Sequence, residues 1–320
     1  MATTSIYASS EVEAIPVIDF SDILSGSKDL GNCPQVKELH SALSTVGFVF
    51  LTNHGIDKKM VDKVFKMSET FFTQDISAKK PFIRREHIGN DGYVCMEQES
   101  VNPTQPGDLK ECYNICKTAI PCPDLLEDCI KDLFFESNKT LALKILEVMG
   151  YAFELKDPQF FVKRHQKIGQ GSSESYTTLR LLYYPPLPPS LNLKPGQLRC
   201  GEHVDYGSIT LLFQDPNGGL QVKKKGGGYI DVPYIDGAVL VNLGALMQQW
   251  TGDKYPATPH RVLVPDDETV KERVRQSIAF FVHPDNEVLV ETIDGSNKYP
   301  PITALEDTFR RLKQSYFPVD

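Results

Sequence analysis

The sequence predicts an α+β chain: a double-stranded β-helix (a two-sheet jelly roll) flanked by helices of the N-terminal half and by a C-terminal helix. Three observations lead there. Before about residue 175 the apolar residues recur mostly at helical spacing. From Tyr176 the pattern changes to about eight short runs rich in β-branched and aromatic residues, separated by turn formers. Such runs at close spacing suit a double-sheet jelly roll of the cupin-like kind.

The elements follow in order. Asn32 to Val46 puts Val36, Leu39 and Leu43 on one helical face, and Gly47 ends it. Phe48 to Leu51 reads as a short strand. Ile56 to Phe72 repeats the helical pattern through Met60, Val64 and Phe71. Asp124 to Leu155 is the longest helical stretch, with Leu125, Cys129, Leu133, Leu141, Ile145 and Val148 on its buried side. Gln166 to Ser175, polar and Gly/Ser-rich, is the expected mobile connection. Expected strands are Leu179–Tyr184, Gly201–Phe213, Leu220–Lys223, Tyr229–Val232, Ala238–Leu243, His260–Val264, Gln276–Val282 and Val288–Glu291. Pro185 to Pro195 separates the first two, and Lys225-Gly226-Gly227-Gly228 makes a hairpin turn. Pro301 to Tyr316 closes the chain as a helix with Pro in its first turn.

Composition narrows the function classes. Hydrophobic content of 41% and charged content of 24% are ordinary for a globular protein. A net charge of −8 argues against nucleic acid as the main partner. No apolar run reaches membrane-spanning length. Met1 to Val12 lacks the basic and apolar regions of a secretory signal. Seven cysteines, an odd number without a regular framework, fit a reducing, cytoplasmic setting. Cys112 and Cys116, which could meet on a helix face, are expected as free thiols. His40 and His54 are read as structural. The sequon Asn138-Lys139-Thr140 is read as a chance match.

The chemistry gathers around His203-Val204-Asp205. In a strand, side chains two apart share a face, so the imidazole and the carboxylate point the same way. A second imidazole would complete two histidines and one carboxylate on one face of a metal. That arrangement leaves positions open, as in non-haem Fe(II) oxygenases. His260, at the start of another β-rich run, is the candidate. His-x-Asp alone is a short pattern, but Arg275 and Ser277 again lie two apart in a strand pattern. A buried guanidinium beside a hydroxyl suits a distal carboxylate.

With these pieces the chain resembles the Fe(II)- and 2-oxoglutarate-dependent dioxygenases, in the isopenicillin N synthase-like branch. The resemblance begins at Ile15-Pro16-Val17-Ile18-Asp19-Phe20 and Gly47 to Ile56, and resumes at Leu181 to Pro186. It runs on through Gly218-Gly219-Leu220-Gln221-Val222, Val241-Asn242-Leu243-Gly244, His260-Arg261-Val262 and Arg275-Gln276-Ser277. It implies one catalytic domain over 1–320. Residues 1–175 would be the mainly helical region, 176–295 the jelly-roll core with the iron site, and 296–320 the C-terminal helix. It implies Fe(II) on His203, Asp205 and His260, with 2-oxoglutarate as cosubstrate. The far carboxylate of 2-oxoglutarate would meet Arg275 and Ser277 with help from the Tyr184 hydroxyl. O2 is the oxidant, succinate and CO2 are released, and a substrate C–H is oxidised, most simply by hydroxylation. Asn242, Gly244 and Arg261 match positions read as structural. Two departures, Leu182 where many plant members have Asn and Ala245 where they have an acidic residue, point away from flavonoid- or hormone-type plant enzymes. The closest look is to thymine hydroxylase-like members, through Leu179-Arg180-Leu181-Leu182 and Gly201-Glu202-His203 running on to Thr210. Two other readings use the same residues. One is an oxidase of the isopenicillin N synthase kind that works without 2-oxoglutarate. The other is a non-catalytic jelly-roll binder of small molecules.

Strand parity extends the reading to the primary substrate. Arg180 shares a face with Tyr184, and Phe281 shares one with Arg275 and Ser277. Tyr206 follows Asp205 where Gly207 can bend the chain, and Asn90 lies in a turn of the helical half. Two rings, one cation and one amide would suit a small, planar, polar heterocycle, stacked and hydrogen-bonded.

Overall fold

The structure, a computed structural model, describes residues 14–26, 29–85, 90–102, 104–117, 122–127, 130, 134–188 and 190–315. Its strands are β1 (Val17–Asp19), β2 (Phe48–Thr52), β3 (Gly92–Val94), β4 (Glu111–Ile115), β5 (Thr178–Tyr184), β6 (Cys200–His203) and β7 (Ile209–Gln214). They continue as β8 (Leu220–Lys223), β9 (Tyr229–Asp231), β10 (Val239–Leu243), β11 (His260–Val262), β12 (Arg275–Val282), β13 (Leu289–Val290) and β14 (Ile302–Thr303). The helices are α1 (Ser21–Ser25), α2 (Pro34–Thr45), α3 (Lys58–Phe72), α4 (Ile76–Lys79), α5 (Phe135–Ala152), α6 (Ala245–Trp250), α7 (Glu268–Lys271) and α8 (Ala304–Ser315).

A large sheet of order β1-β2-β10-β7-β12-β5-β4-β3 faces a small one of order β6-β11-β8-β9, which together make the jelly roll. Alternation along each strand of the large sheet divides its side chains between two cores. Phe48, Phe50, Leu182, Tyr184 and Leu240 point inward, onto Cys200, Leu220, Val222 and Val262 of the small sheet. Val49, Leu51, Leu181, Phe213, Ile278 and Phe280 point outward, onto the buried faces of α2, α3 and α5. The strands are therefore apolar on both faces, and their sequences read as near-continuous runs.

Helix ends follow local chemistry. Pro34 occupies the first position of α2, and Gly47, at φ +74°, takes the left-handed turn after it. Asp57 caps α3, its carboxylate accepting from Lys59 N at 2.9 Å. For α8 the expected start at Pro301 is corrected to Ala304. A capping box sets it: Thr303 N donates to Glu306 Oε2 at 3.1 Å, and Glu306 N donates to Thr303 Oγ1 at 3.3 Å. Its expected last residue, Tyr316, lies outside the described residues.

Other expectations need correction too. The stretch Gly201–Phe213 is not one strand. It breaks after His203 and resumes at Ile209, because the intervening turn is bound elsewhere. Ala245 N donates to Asp205 O at 2.8 Å, Gly244 N to Ser208 O at 3.0 Å, and Ser208 N to Val282 O at 2.8 Å. The long helix expected from Asp124 is not a single α-helix: a 3-10 turn spans Asp124–Leu126 and the α-helix runs over Phe135–Ala152; Cys129 and Leu133 lie outside the described residues. Gln166–Ser175 is not a loose connection. The backbone N–H groups of Gln166 and Lys167 both donate to the Asp285 carboxylate, at 3.0 and 2.8 Å. Cys112 lies on a strand and Cys116 just beyond it, not on a helix; both are buried free thiols. Asn138 of the sequon is fully buried in α5 and donates to Phe134 O. His40 and His54 serve packing: the first reaches the Tyr255 hydroxyl at 2.9 Å and the second Gly237 O at 3.1 Å. No described helix is long and apolar enough to cross a membrane.

Candidate active site

His203 and His260 face each other across the antiparallel pair of β6 and β11, with ring centroids 4.3 Å apart. Backbone carbonyls orient both rings. His203 Nδ1 lies 2.8 Å from Gly201 O, and His260 Nδ1 lies 3.1 Å from Thr258 O. With each Nδ1–H donating there, both Nε2 lone pairs are left for a metal. Asp205 arrives from the turn after β6. Its Oδ1 lies 3.7 Å from His203 Nε2 and 3.8 Å from His260 Nε2. The three residues offer ligand atoms all within 4.8 Å of one another, a spread that one ion can bridge. His203 and Asp205 do converge, but the turn brings them together rather than the alternation of a single strand.

The other Asp205 oxygen is held. Thr210 Oγ1 and Asn242 Nδ2 each donate to Oδ2 at 2.6 Å. Burial opposes ionisation of this carboxyl. The two imidazoles and the two hydrogen bonds outweigh it and keep Asp205 below the usual carboxylate range. Burial, helped by His203 and opposed by Asp205, pushes His260 down to about 4, so the ring is neutral near pH 7. The donor set of two imidazoles and one carboxylate fits Fe(II).

Arg275, Ser277 and Tyr184 also come together. Arg275 is 1% exposed and forms no ion pair among the described residues. Its Nε donates to Gly218 O at 2.6 Å, its Nη1 lies 3.4 Å from Ser277 Oγ, and its guanidinium stands 4.7 Å from the centre of the Tyr184 ring. Burial pushes the Tyr184 hydroxyl up to about 12, so it remains a donor. A buried cation with no ion pair among the described residues, beside two hydroxyls, has the chemistry that suits a carboxylate.

Asn90, Arg180, Tyr206 and Phe281 all line one cavity with His203 and Asp205. They are not free-standing groups. Asn90 Oδ1 accepts from Arg84 Nε at 2.9 Å, and the Tyr206 hydroxyl is bonded to Ser315 Oγ. Arg180 is paired with Glu99 at 3.0 Å and stands 5.5 Å from the Phe281 ring centre. Sequence reasoning missed Glu99, Thr178, His283 and Thr308, which line the same cavity. It also took Asn242 as structural, although its amide orients a candidate ligand. One signal was present: Asn242 is the sole polar residue in the apolar run Val239–Leu243. Gly244 is structural as expected, since a Cβ there would lie 2.2 Å from Gly207 O. Arg261 is structural too, bonded through Nε to Gln221 Oε1 at 3.0 Å and laid over the Tyr229 ring.

Fold and site together define a non-haem iron oxygenase. Residues 176–284 match the 2OG-Fe(II) oxygenase superfamily, and residues 15–126 match the family described as non-haem dioxygenase in morphine synthesis N-terminal. A UPF0676 protein of Schizosaccharomyces pombe is 36% identical over 265 residues, covering 79% of this chain and 78% of its own. Proline hydroxylase buaE of Petromyces alliaceus is 30% identical, covering 96% and 100%. Among solved structures, the full-length thymine hydroxylase of Neurospora crassa in complex with alpha-KG (2-oxoglutarate) superposes with a TM-score of 0.82 at 30% identity, covering 95% and 100%. The same enzyme with alpha-KG and thymine gives 0.81 at 30% identity, covering 93% and 96%. The chain belongs to the 2OG-Fe(II) oxygenase superfamily. It is a 2-oxoglutarate-dependent dioxygenase, an oxidoreductase that uses Fe(II), 2-oxoglutarate and O2. That membership sets aside the non-catalytic binder and favours 2-oxoglutarate over the oxidase reading.

Proposed function

We propose that this dioxygenase oxidises, by hydroxylation, a small, planar, polar heterocycle held over the His203–Asp205–His260 cluster. The observation that carries the reading is the shared cavity. Two candidate metal ligands, two aromatic rings, an amide and a guanidinium line one recess. The Neurospora crassa enzyme, which has a similar fold, is solved with thymine and with 5-formyluracil. Both are planar, polar rings.

In this reading His203, Asp205 and His260 hold Fe(II), and Thr210 with Asn242 keeps Asp205 presenting one oxygen. Arg275, Ser277 and Tyr184 receive the far carboxylate of 2-oxoglutarate. When bound, the iron activates O2 at the expense of 2-oxoglutarate, which leaves as succinate and CO2. The chain's remaining work is to place one C–H of the substrate and to exclude water. Phe281 and Tyr206 supply ring faces, and Arg180 and Asn90 supply polar edges.

The test has two parts. The protein loaded with Fe(II) and 2-oxoglutarate under nitrogen is expected to show the visible absorption of the chelated keto acid, and His260→Ala is expected to lose it. Planar heterocycles are then screened by succinate release in air. For the substrate so found, Phe281→Ala is expected to raise KM by about tenfold or more while the KM for 2-oxoglutarate stays within about twofold. Equal effects on both constants would overturn the pocket assignment.

A further inference from the structure

The cavity wall carries a charge that no sequence pattern announced. Glu99 is 5% exposed, and its two oxygens accept from Arg180 Nη1 at 3.0 and 3.3 Å. Lys110 Nζ lies 3.1 Å from Glu99 Oε2 and also donates to Asp108. Asp108 turns its other oxygen to Gly201 N at 2.9 Å, two residues before His203. Arg180 Nε donates to Asn114 Oδ1 at 2.7 Å. The four charged side chains are buried and alternate in sign along the chain Arg180–Glu99–Lys110–Asp108. Two positive and two negative groups give a formal sum of zero. Each is held by a neighbour of opposite sign or by the backbone, so Glu99 cannot swing away without leaving Arg180 and Lys110 undercompensated.

This end of the cavity differs from the Arg275 end. Arg275 is a buried cation that forms no ion pair among the described residues, whereas the charge of Arg180 is already matched. The other charged groups near the recess have partners of their own. Asp205 belongs to the metal cluster. Arg311, over the Tyr206 ring, donates to Asp307 at 2.7 Å, and Arg84 is engaged by Asn90. A ligand carboxylate placed beside Arg180 would compete with Glu99 at close range, in a site with little water to screen the repulsion. A ligand ammonium would meet Arg180 and Lys110 in the same way. An uncharged polar molecule meets neither cost.

We infer that Glu99 is a specificity-determining residue: it fixes the charge of the substrate wall at zero, so the primary substrate is an uncharged, polar molecule. This rests on the reading of the cavity as the substrate pocket. It sets amino acids and free carboxylic acids apart from lactams, imides and similar neutral rings.

The experiment is a charge series. Glu99→Gln takes the cluster to +1, Arg180→Gln takes it to −1, and the double variant returns it to zero. Binding is read by calorimetry on the full chain loaded with Fe(II) and 2-oxoglutarate under nitrogen. The probes are neutral heterocycles paired with carboxylate-bearing counterparts, thymine with uracil-5-carboxylate among them. For each pair that binds, the wild type is expected to favour the neutral member by about tenfold or more. In Glu99→Gln the preference is expected to vanish or invert. In the double variant it returns, although both members bind more weakly; that recovery is what a mere loss of contacts does not produce. The double variant also keeps the test open if Glu99→Gln alone fails to fold. A wild-type preference for the carboxylate member overturns the inference, and so does an unchanged ratio in Glu99→Gln. The absorption of the loaded site, recorded first, tests the assignment of the iron and 2-oxoglutarate residues separately. If no heterocycle binds, the heterocycle reading fails alone, and acetamide against acetate at high concentration gives the same ratio for the charge inference.

Discussion

Asp205 presents Oδ1 to the imidazoles because Thr210 and Asn242 occupy Oδ2, both at 2.6 Å. Groups that orient a ligand in this way are worth about 10–100-fold in metal affinity. Asn242→Ala is therefore expected to weaken Co(II) or Fe(II) binding by about that factor, measured by calorimetry, while circular dichroism shows the fold intact. Binding at wild-type strength would return Asn242 to a packing role. At the other end of the site, Arg275→Lys keeps the charge and loses the planar fork. It is expected to raise the KM for 2-oxoglutarate by about tenfold or more, with a smaller effect on saturation by the primary substrate. The candidate ligands and Arg275 were legible because His203-x-Asp205, His260 and Arg275-x-Ser277 follow in order, each in or beside a β-rich run. Thr210 and Asn242 were not, because a hydroxyl or an amide on a buried strand looks the same in sequence whether it holds a ligand or merely satisfies itself. Glu99 lies in an irregular loop, where no periodicity tells an inward carboxylate from an outward one.

The element that matters most is the turn between β6 and β7. It was hidden inside a stretch whose composition is strand-like from Gly201 to Phe213. The break is imposed from outside, by the start of α6 and the end of β12 through their backbone hydrogen bonds, and such tertiary demands override local propensity. The packing is close. A Cβ at Gly207 would lie 2.3 Å from Val282 O, and one at Gly244 would lie 2.2 Å from Gly207 O. Neither neighbour is a flexible side chain, so backbone must move. Gly244→Ala is expected to lower stability by about 1–3 kcal/mol, read as a lower urea midpoint, and to weaken metal binding more than a comparable substitution at exposed Gly237. Equal metal affinity in the two variants would separate the turn from the site. Elsewhere local sequence was sufficient. The hairpin of β8 and β9 has its Gly-rich tip, and the apolar faces of α2 and α3 are as their periodicity indicates.

At the scale of the whole molecule, β3 and β4 join the large sheet from a half that reads as helical. β3 pairs with β4, and β4 with β5, more than sixty residues further on; no local signal encodes so distant a pairing. The same packing buries two further histidines that are not candidate ligands, His165 and His283. Burial, eased by a hydrogen bond to Phe161 O, pushes His165 down to about 4, and burial pushes His283 to about 4 as well. In the unfolded chain both titrate near 6.5. Between those values the unfolded state binds more protons, so the stability they support is complete above about pH 6.5 and is lost as pH falls toward 4. Two such groups are expected to remove about 2 kcal/mol each by pH 5. Urea midpoints at pH 7 and pH 5 measure this, and His165→Gln is expected to remove about half of the difference. One further consequence follows from the way the two sheets meet. His203 and His260 stand on the small sheet, and Asp205 stands on the turn that crosses from it. Arg180 and Phe281 stand on β5 and β12 of the large sheet. On the proposed roles, the metal ligands are inherited on one piece of the fold, while Arg180 and Phe281 share β5 and β12 with Tyr184, Arg275 and Ser277. Mutation at Arg180 or Phe281 can therefore rewrite what is oxidised without touching the metal ligands, so a lineage built on this scaffold can change its diet while keeping its fire.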